Sequence, residues 1–203
     1  MKKTIAEHAA RFDEHAPDYD EDKSEEYRAT VSLVVEHARP HAADGTVLDL
    51  GCGTGAIGLA LADDAARVVG RDISEGMLEV AREKAADRGL DNVAFGEGRF
   101  REPNHDGPTD LVVSNFAMHH LSDAEKREAV ETIAALDPAA FVLGDVMFFG
   151  EPDPEEPFYS PEVDDPATVG HLADCLTDAG FALTAVERVH DQVGVLVAER
   201  GDR

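Results

Sequence analysis

Residues 46–58 read TVLDLGCGTGAIG: a short apolar run that contains an acid, three alternating glycines, and further small and apolar residues. This order predicts a buried strand, a tight turn and the start of a helix. In an open parallel sheet, ligands bind beyond the carboxyl ends of the strands, and the first strand-to-helix turn is a usual place. We therefore expect this glycine turn to form part of a ligand site.

Several kinds of site use a glycine turn. A phosphate-binding P-loop is excluded, because it needs a lysine and none stands between Gly53 and Gly58. A dinucleotide site is compatible, because residues 53–58 match G-x-G-x-x-G. Asp49, just before the turn, would work against a pyrophosphate and suits a ligand with a cationic end, such as S-adenosylmethionine. A tight turn without any ligand is the weaker interpretation.

The periodicity of the apolar residues predicts alternating strands and helices along the chain. We expect one helix over 22–38, ended by Pro40, and another that begins at Ser74 and ends near Gly89. The predicted strands are 46–50, 67–72, 92–95, 109–115, 139–148, 181–189 and 193–200. The last two flank a short polar turn and should pair antiparallel. The pattern predicts an α/β, Rossmann-like, doubly wound and mostly parallel sheet of seven strands with a C-terminal antiparallel hairpin.

Five of the ten prolines fall within residues 150–170, between the fifth and sixth predicted strands. We interpret this segment as a surface excursion, placed over a ligand site. Asp165 and Pro166 then predict the start of a helix that stops at Gly180.

The second predicted strand ends in Asp72, a further acid at the same edge of the sheet. A carboxylate there can accept hydrogen bonds from both hydroxyls of a ribose. A nicotinamide dinucleotide needs the same acid, so Asp72 indicates an adenosine ribose without selecting the cofactor. The structural alternative is a helix cap, a role that Ser74 already fills.

Three segments together resemble a known family. VLDLGCGTGAIGLALA (47–62), VVGRDISEGMLEVAREKA (68–85) and DLVVSNFAMHHLSDAEK (110–126) are similar, in order and spacing, to signature regions of the class I S-adenosylmethionine-dependent methyltransferases. The resemblance covers roughly residues 12–199. It implies one methyltransferase domain over 1–203, with an N-terminal helical segment (1–40) over the cofactor site and a Rossmann-like core (41–203).

The resemblance also assigns cofactor contacts, with S-adenosylmethionine as the cofactor. The backbone at the turn glycines and at Asn115 would approach the methionine part, Asp49 would lie near its amino group, and Asp72 would hold the ribose. Ile73, Gly98 and Phe100 would line the adenine end. The family has an acid where this chain has Arg99, and an arginine cannot accept the adenine amino group's hydrogen bond. The implied cofactor-binding residues are Asp49, Gly51, Gly53, Gly55, Asp72, Ile73, Gly98, Arg99, Phe100 and Asn115.

Methyl transfer from a sulfonium is an in-line displacement, so alignment and exclusion of water supply most of the acceleration. A general base is needed only when the nucleophile must lose a proton. The candidate catalytic residues are Tyr19, His119, His120 and Asp145, and each has a structural alternative in packing or capping. Because adjacent side chains diverge, we expect at most one of the two histidines to face the site.

The composition restricts the partners. Forty-three Asp and Glu against 18 Lys and Arg give a net charge of −25 that is spread along the chain. We expect an acidic surface in a salt-loaded cytoplasm, because molar salt shortens the screening length to about 3 Å and so removes most of the repulsion. The bias resembles that of proteins from extreme halophiles, which implies a halophilic source; the alternative is an acidic protein with a basic partner. The charge argues against nucleic acid as a partner. No run spans a membrane and the N-terminus lacks a signal-peptide pattern, so the prediction is cytoplasmic.

The two cysteines show no metal-ligand spacing, so no metal is expected. The sequence as a whole predicts a methyltransferase that transfers a methyl group from S-adenosylmethionine to a small-molecule acceptor. Two alternatives stay open: a non-catalytic module that binds S-adenosylmethionine or S-adenosylhomocysteine, and an NAD-dependent oxidoreductase of the same fold.

Overall fold

The computed structural model describes residues 4–21, 23–152 and 157–201. Its helices are α1 (Ile5–His15), α2 (Glu25–Ala42), α3 (Ala56–Leu61), α4 (Glu75–Asp87), α5 (Asp123–Ala135) and α6 (Val169–Asp178), with short 3-10 turns at Ala16–Asp18 and Met118–His120. Its strands are β1 (Thr46–Leu50), β2 (Arg67–Asp72), β3 (Val93–Glu97), β4 (Leu111–Asn115), β5 (Ala140–Phe148), β6 (Ala167–Thr168), β7 (Ala182–His190) and β8 (Val193–Glu199).

Seven strands form one continuous sheet in the order β3-β2-β1-β4-β5-β8-β7, and the two-residue β6 pairs separately with β5. Strands β1 to β5 run parallel, whereas β8 lies antiparallel to both β5 and β7. The predicted α/β sheet with its C-terminal antiparallel hairpin is therefore confirmed. The strand order reverses between β1 and β4, which is where this class of sheet binds ligands.

Helices cover both faces of the sheet. Helices α2 and α3 pack on one face through Val34, Ala38, Ile57 and Leu61, all of them buried. Helices α5 and α6 pack on the other face, where residues such as Ile133, Leu172 and Leu176 join the core. Both faces of the central strands are buried, so these strands read as almost continuous apolar runs.

Two helix boundaries differ from the prediction. Helix α2 continues through Pro40 to Ala42, because Ala38 and Ala42 are fully buried against the sheet and their packing outweighs the lost N–H of the proline. Asp22, the predicted first residue, lies outside the described residues. Helix α6 begins at Val169 instead of Asp165, because Ala167 and Thr168 are held extended by pairing with β5 and Thr168 then caps the helix.

The N-terminal segment is held against the ligand edge of the sheet. Asp13 at the end of α1 accepts hydrogen bonds from the Ser74 hydroxyl (2.6 Å) and the Gly76 N–H (2.9 Å) at the start of α4. Asp20 accepts from the Thr54 hydroxyl (2.9 Å) and pairs with Lys84. These contacts place α1 beside the glycine turn.

Within residues 4–21, 23–152 and 157–201, no helix combines the length and the apolar character that crossing a membrane requires.

Candidate functional site

A cavity of about 320 Å³ opens at the carboxyl ends of β1, β2 and β4. Its walls are the glycine turn after β1, the end of β2, the loop after β3, the segment from Asn115 to Leu121 after β4, and α1 with Tyr19 and Tyr27 from the N-terminal segment. The volume lies within the range of small-molecule sites, roughly 300–1,000 Å³. The cavity therefore has the location and size expected for a ligand site.

The three turn glycines adopt positive φ angles of 69°, 51° and 84° at Gly51, Gly53 and Gly55, a region that favours glycine. They differ in what a side chain would meet. A Cβ at Gly51 would lie 2.3 Å from the Cβ of Ala117, whereas a Cβ at Gly53 would meet nothing within 4 Å. Gly51 and Gly53 line the cavity; Gly55 packs beside Leu59 and does not.

Asp72 ends β2 with its carboxylate at the cavity wall. Its two oxygens accept hydrogen bonds from the N–H of Gly53 (2.8 Å) and the N–H of Ser74 (3.0 Å). A carboxylate offers about four lone-pair positions, so each oxygen can still accept one more donor. Burial raises the pKa of Asp72, and the backbone N–H groups only partly offset this. The residue can therefore receive two hydroxyl donors from a ligand.

Asp49 does not line the cavity. Alternation along β1 turns Asp49 toward α3, where its carboxylate accepts a hydrogen bond from the Gly58 N–H at 2.9 Å. The side chain is 1% exposed, and burial, together with the nearby charge of Asp72, raises its pKa to about 7. The Asp49 carboxylate therefore lies behind the glycine turn, and its contact with a ligand amino group stays a prediction.

Ile73, Gly98, Arg99 and Phe100 all line one end of the cavity, as the resemblance implies for the adenine end. The Arg99 guanidinium pairs with Glu102 at 3.0 Å. The Arg99 side chain is 45% exposed, so the Arg99–Glu102 pair leaves this part of the cavity open to solvent. The arginine thus lies at the expected position, with its charge turned toward a neighbouring acid.

Aromatic residues and an amide form the floor beside β4. Asn115 lines the cavity, and its buried amide makes no hydrogen bond of normal geometry within the described residues. Phe116 has a positive φ of 51° and places its ring 5.2 Å from that of Tyr27. Strained backbone of this kind concentrates at functional sites. The Asn115 amide also acts on the Tyr27 hydroxyl, so amide and phenol together present polar groups beside the aromatic rings.

Tyr19, one of the candidate catalytic residues, also lines the cavity. Burial and the charges of Asp72 and Asp20 raise the pKa of Tyr19 to about 12. The Lys23 ammonium lies over its ring, 3.0 Å from the centroid. Tyr19 therefore keeps its proton at neutral pH and can donate a hydrogen bond, but it is poorly suited to remove a proton.

The other three candidate catalytic residues, His119, His120 and Asp145, lie in two different environments. His119 and Asp145 form a buried pair outside the cavity lining: Nδ1 of His119 lies 2.5 Å from an Asp145 oxygen, and the His119 N–H donates to the second oxygen at 3.0 Å. His120 lines the cavity, and its Nδ1 lies 2.7 Å from Oδ1 of Asp164. One histidine faces the site and its neighbour points inward, in line with the expected divergence.

Asp164 was not among the predicted site residues. It lies 44 positions after His120 inside the proline-rich segment, part of which (153–156) falls outside the described residues. No spacing or periodicity in the sequence connects it to the histidines. Phe116 and the α1 residues His8 and Phe12 also line the cavity without having been predicted.

Three of these side chains also come close enough for a metal ion to be considered. Ligand atoms of His119, His120 and Asp164 lie within 4.8 Å of one another. In a tetrahedral site with bonds of 2.0–2.1 Å, neighbouring ligand atoms are separated by about 3.3 Å. The separation of 2.7 Å between His120 and Asp164 matches a hydrogen bond better than a pair of metal ligands.

Comparisons with known proteins agree with this geometry. A family model described as a methyltransferase domain matches residues 47–136. An uncharacterized methyltransferase of Staphylococcus carnosus is 33% identical over 147 residues, covering 69% of this chain and 68% of that protein. The cypemycin N-terminal methyltransferase of a Streptomyces species is 37% identical over 150 residues, covering 68% of this chain and 58% of that protein.

Among solved structures, the magnesium protoporphyrin IX methyltransferase of Synechocystis PCC 6803 with bound S-adenosylhomocysteine has a TM-score of 0.75 to this chain, with 95% of both chains covered. At 19% identity, this likeness shows the shared fold. The family match and the Staphylococcus relative go further. This chain belongs to the class I methyltransferases, the family whose cofactor is S-adenosylmethionine.

Proposed function

We propose that this protein transfers a methyl group from S-adenosylmethionine to a small-molecule acceptor that enters the cavity beside α1. The observation that carries the proposal is the cavity itself, whose wall includes Gly53, Asp72, Asn115 and His120. Ligand groups and a reacting centre can therefore share one enclosed space, as a methyl transfer requires.

The donor atoms of the cavity fit the cofactor. We assign the ribose hydroxyls to Asp72, whose oxygens keep free acceptor positions beside the Gly53 and Ser74 N–H groups. We assign the methionine part to the backbone at Gly51 and Gly53 and to the Asn115 amide, which makes no hydrogen bond of normal geometry within the described residues. The cofactor would supply a methyl group activated by its sulfonium charge.

The adenine end is lined by Ile73, Gly98 and Phe100, with Arg99 replacing the usual acid. Phe100 is 8% exposed and Ile73 is partly buried, so they offer apolar surface to the faces of a purine. Because Arg99 is paired with Glu102, we propose that it contributes little to recognition of the adenine amino group. Affinity for the cofactor would then depend mainly on the ribose and methionine contacts.

Calorimetric titration with S-adenosylmethionine in about 1 M KCl tests the assignment. Wild-type protein should bind one equivalent. Asp72→Ala should bind about 10²–10⁴-fold more weakly, because two hydrogen bonds to a charged acceptor are lost, each worth about 1.5–3 kcal/mol. Asp87→Ala is the matched control, because it removes an exposed carboxylate at the end of α4, outside the cavity lining.

The outcomes separate the hypotheses. Unchanged affinity in Asp72→Ala would contradict the ribose assignment, and no binding by the wild type would contradict the function. Titration with NAD tests the oxidoreductase alternative, which predicts binding of the dinucleotide. Bound cofactor that never yields S-adenosylhomocysteine with any acceptor in a broad panel would favour the non-catalytic module.

A further inference from the structure

The hydrogen bond between His120 and Asp164 determines which ring nitrogen carries a proton. Nδ1 of His120 lies 2.7 Å from Oδ1 of Asp164. An ionised carboxylate accepts hydrogen bonds and cannot donate one, so Nδ1 is protonated. Nε2, at the other edge of the ring, keeps a lone pair, and the ring lines the cavity. A histidine in this state can accept a proton from a molecule in the cavity.

Asp164 is fixed in place by its surroundings. Its second oxygen accepts a hydrogen bond from the Ser160 N–H at 2.8 Å. The next residue, Asp165, donates its N–H to the His119 carbonyl at 2.7 Å, and its own carbonyl accepts from the buried ammonium of Lys126. Because three contacts hold this turn, the carboxylate can orient His120 with little freedom to move.

The two adjacent histidines, His119 and His120, differ in the direction in which their surroundings shift the pKa. Burial opposes a charge on His119, but the carboxylates of Asp145 and Asp164 outweigh it and raise its pKa. For His120, burial and the adjacent His119 outweigh the bond to Asp164 and lower its pKa below 6.5. The buried His119 is therefore the more basic of the two, and His120 at the cavity wall is the one that more readily stays neutral.

Other charged groups face the same region and enter any pH dependence. His8 from α1 lies with its ring centroid 5.2 Å from that of His120. Among the described residues, the other titratable groups of the cluster and of the cavity wall are Tyr19, Tyr27, Cys52, Asp72, Arg99, Arg101, His119, Glu125, Asp145 and Asp164, with Lys126 behind them.

The cavity wall around His120 is mostly apolar. Phe12 lies with its ring centroid 5.5 Å from that of His120. Ile5, Leu121 and Val163 line the same cavity, and the last two directly adjoin His120 and Asp164 in the chain. An acceptor that reaches His120 can therefore pack an apolar body against these side chains and present a polar reacting atom to the ring.

We infer that His120 is the general base of the methyl transfer, that Asp164 is its positioning residue, and that the acceptor is an apolar molecule with a hydroxyl or ammonium group. This inference rests on the proposed function. In the reaction, the acceptor oxygen or nitrogen forms a bond to the methyl carbon while the carbon–sulfur bond breaks and its electron pair remains on sulfur. A hydroxyl gives its proton to Nε2 of His120 as the bond to carbon forms, whereas an ammonium gives its proton to Nε2 before the attack, because its nitrogen has no lone pair until then. One positive charge is lost from the sulfonium and one is gained by the imidazole, so the charge balances.

The first test needs no acceptor. Long-range proton–nitrogen NMR spectra of protein labelled in histidine, saturated with S-adenosylhomocysteine in about 1 M KCl, report the tautomer of each ring. His120 should be protonated at Nδ1 in the wild type and should lose this preference in Asp164→Asn. The matched control is Glu199→Gln, which makes the same change in the surface pair that His41 forms with Glu199 at 3.2 Å.

The second test follows formation of S-adenosylhomocysteine with two sets of apolar acceptors. Phenols and primary amines carry a proton to lose at neutral pH, whereas thioethers carry none. The wild type should favour the first set. His120→Gln should lower kcat for that set by about 10²–10⁴-fold with little change in the KM for S-adenosylmethionine. Asp164→Asn should lower kcat less and move the acidic limb of the pH–rate profile to lower pH.

Each result decides the question. The inference would be overturned by any of three results: an Nε2-protonated His120 in the wild type, an unchanged kcat in His120→Gln, or equal rates with both acceptor sets. The proposed function would survive these results if the protein binds the cofactor. Stoichiometric binding of Zn²⁺ that depends on both His120 and Asp164 would replace the base with a metal site. If no acceptor of either set reacts, the tautomer decides alone.

Discussion

Replacement of Asp49 by asparagine measures how much the ionisation of this buried carboxyl group, behind the glycine turn, lowers the stability of the fold. The Asp49 carboxylate is 1% exposed, accepts its hydrogen bond from the Gly58 N–H, and has a pKa of about 7 against an ordinary 3.8. Asparagine keeps an oxygen that can accept the same hydrogen bond and has the same shape. The substitution therefore removes the ionisation of the side chain and replaces one oxygen with an NH2 group, whose effect on stability does not change with pH.

The size of the effect follows from the pKa difference. Below pH 3.8 the carboxyl group is protonated in both the folded and the unfolded chain, so it adds no pH dependence. Between pH 3.8 and about 7 the unfolded chain loses the proton while the folded protein keeps it, and the folded state becomes less stable as the pH rises. A difference of about 3 units corresponds to about 4 kcal/mol. Relative to wild type, Asp49→Asn should gain about this much stability by pH 8.

Urea unfolding in about 1 M KCl at a series of pH values between 4 and 8 measures the difference. The free energies of unfolding of wild type and Asp49→Asn should converge near pH 4 and separate steadily toward pH 8. Other titrating groups are common to both proteins and cancel. A difference that stays constant with pH would refute the raised pKa, and a variant that is less stable at pH 8 would show that the ionised carboxylate contributes to the fold.

Two further predictions concern the turn and the surface. Gly53→Ala and Gly89→Ala both place a Cβ at a positive φ with nothing within 4 Å, so each should cost about 1–2 kcal/mol of stability. Only Gly53→Ala should also weaken binding of S-adenosylmethionine, because Gly53 lines the cavity. Equal affinities of the two variants in calorimetric titration would count against the turn as the cofactor site. The protein has a net charge of −25 and should become more stable between about 0.1 M and about 1 M KCl, because the screening length falls from about 10 Å to about 3 Å. A free energy of unfolding in urea that does not change with salt would show that the charges do not oppose folding.

The sheet could be predicted from the sequence because its signals are local. Apolar runs that end in glycines or an acid, each followed by a helical pattern, specify parallel strands and the edge where a ligand binds. Asp72 follows from the same reasoning, since the last residue of β2 must reach that edge. The family resemblance then selected the cofactor, which the glycine turn and Asp72 alone had left open.

The side-chain directions could not be predicted in the same way. Both faces of β1 are buried, so apolarity does not reveal which face Asp49 takes, and the structure turns it under α3. The partner of His120 was beyond reach for a different reason. Asp164 comes from a segment without regular structure, and only the folded chain brings it to the histidine.

The contacts of Asp13 link occupancy of the cavity to the position of α1. Asp72, the proposed ribose contact, accepts a hydrogen bond from the Ser74 N–H, and the Ser74 hydroxyl donates to Asp13 at the end of α1. Hydrogen bonds through Ser74 therefore connect the proposed cofactor site to the helix that lines the cavity. A molecule too large to pass α1 in place can enter or leave only when these bonds open. Turnover would then be limited by the rate of that opening, and the same bonds that protect the methyl group from water would set the pace of product departure.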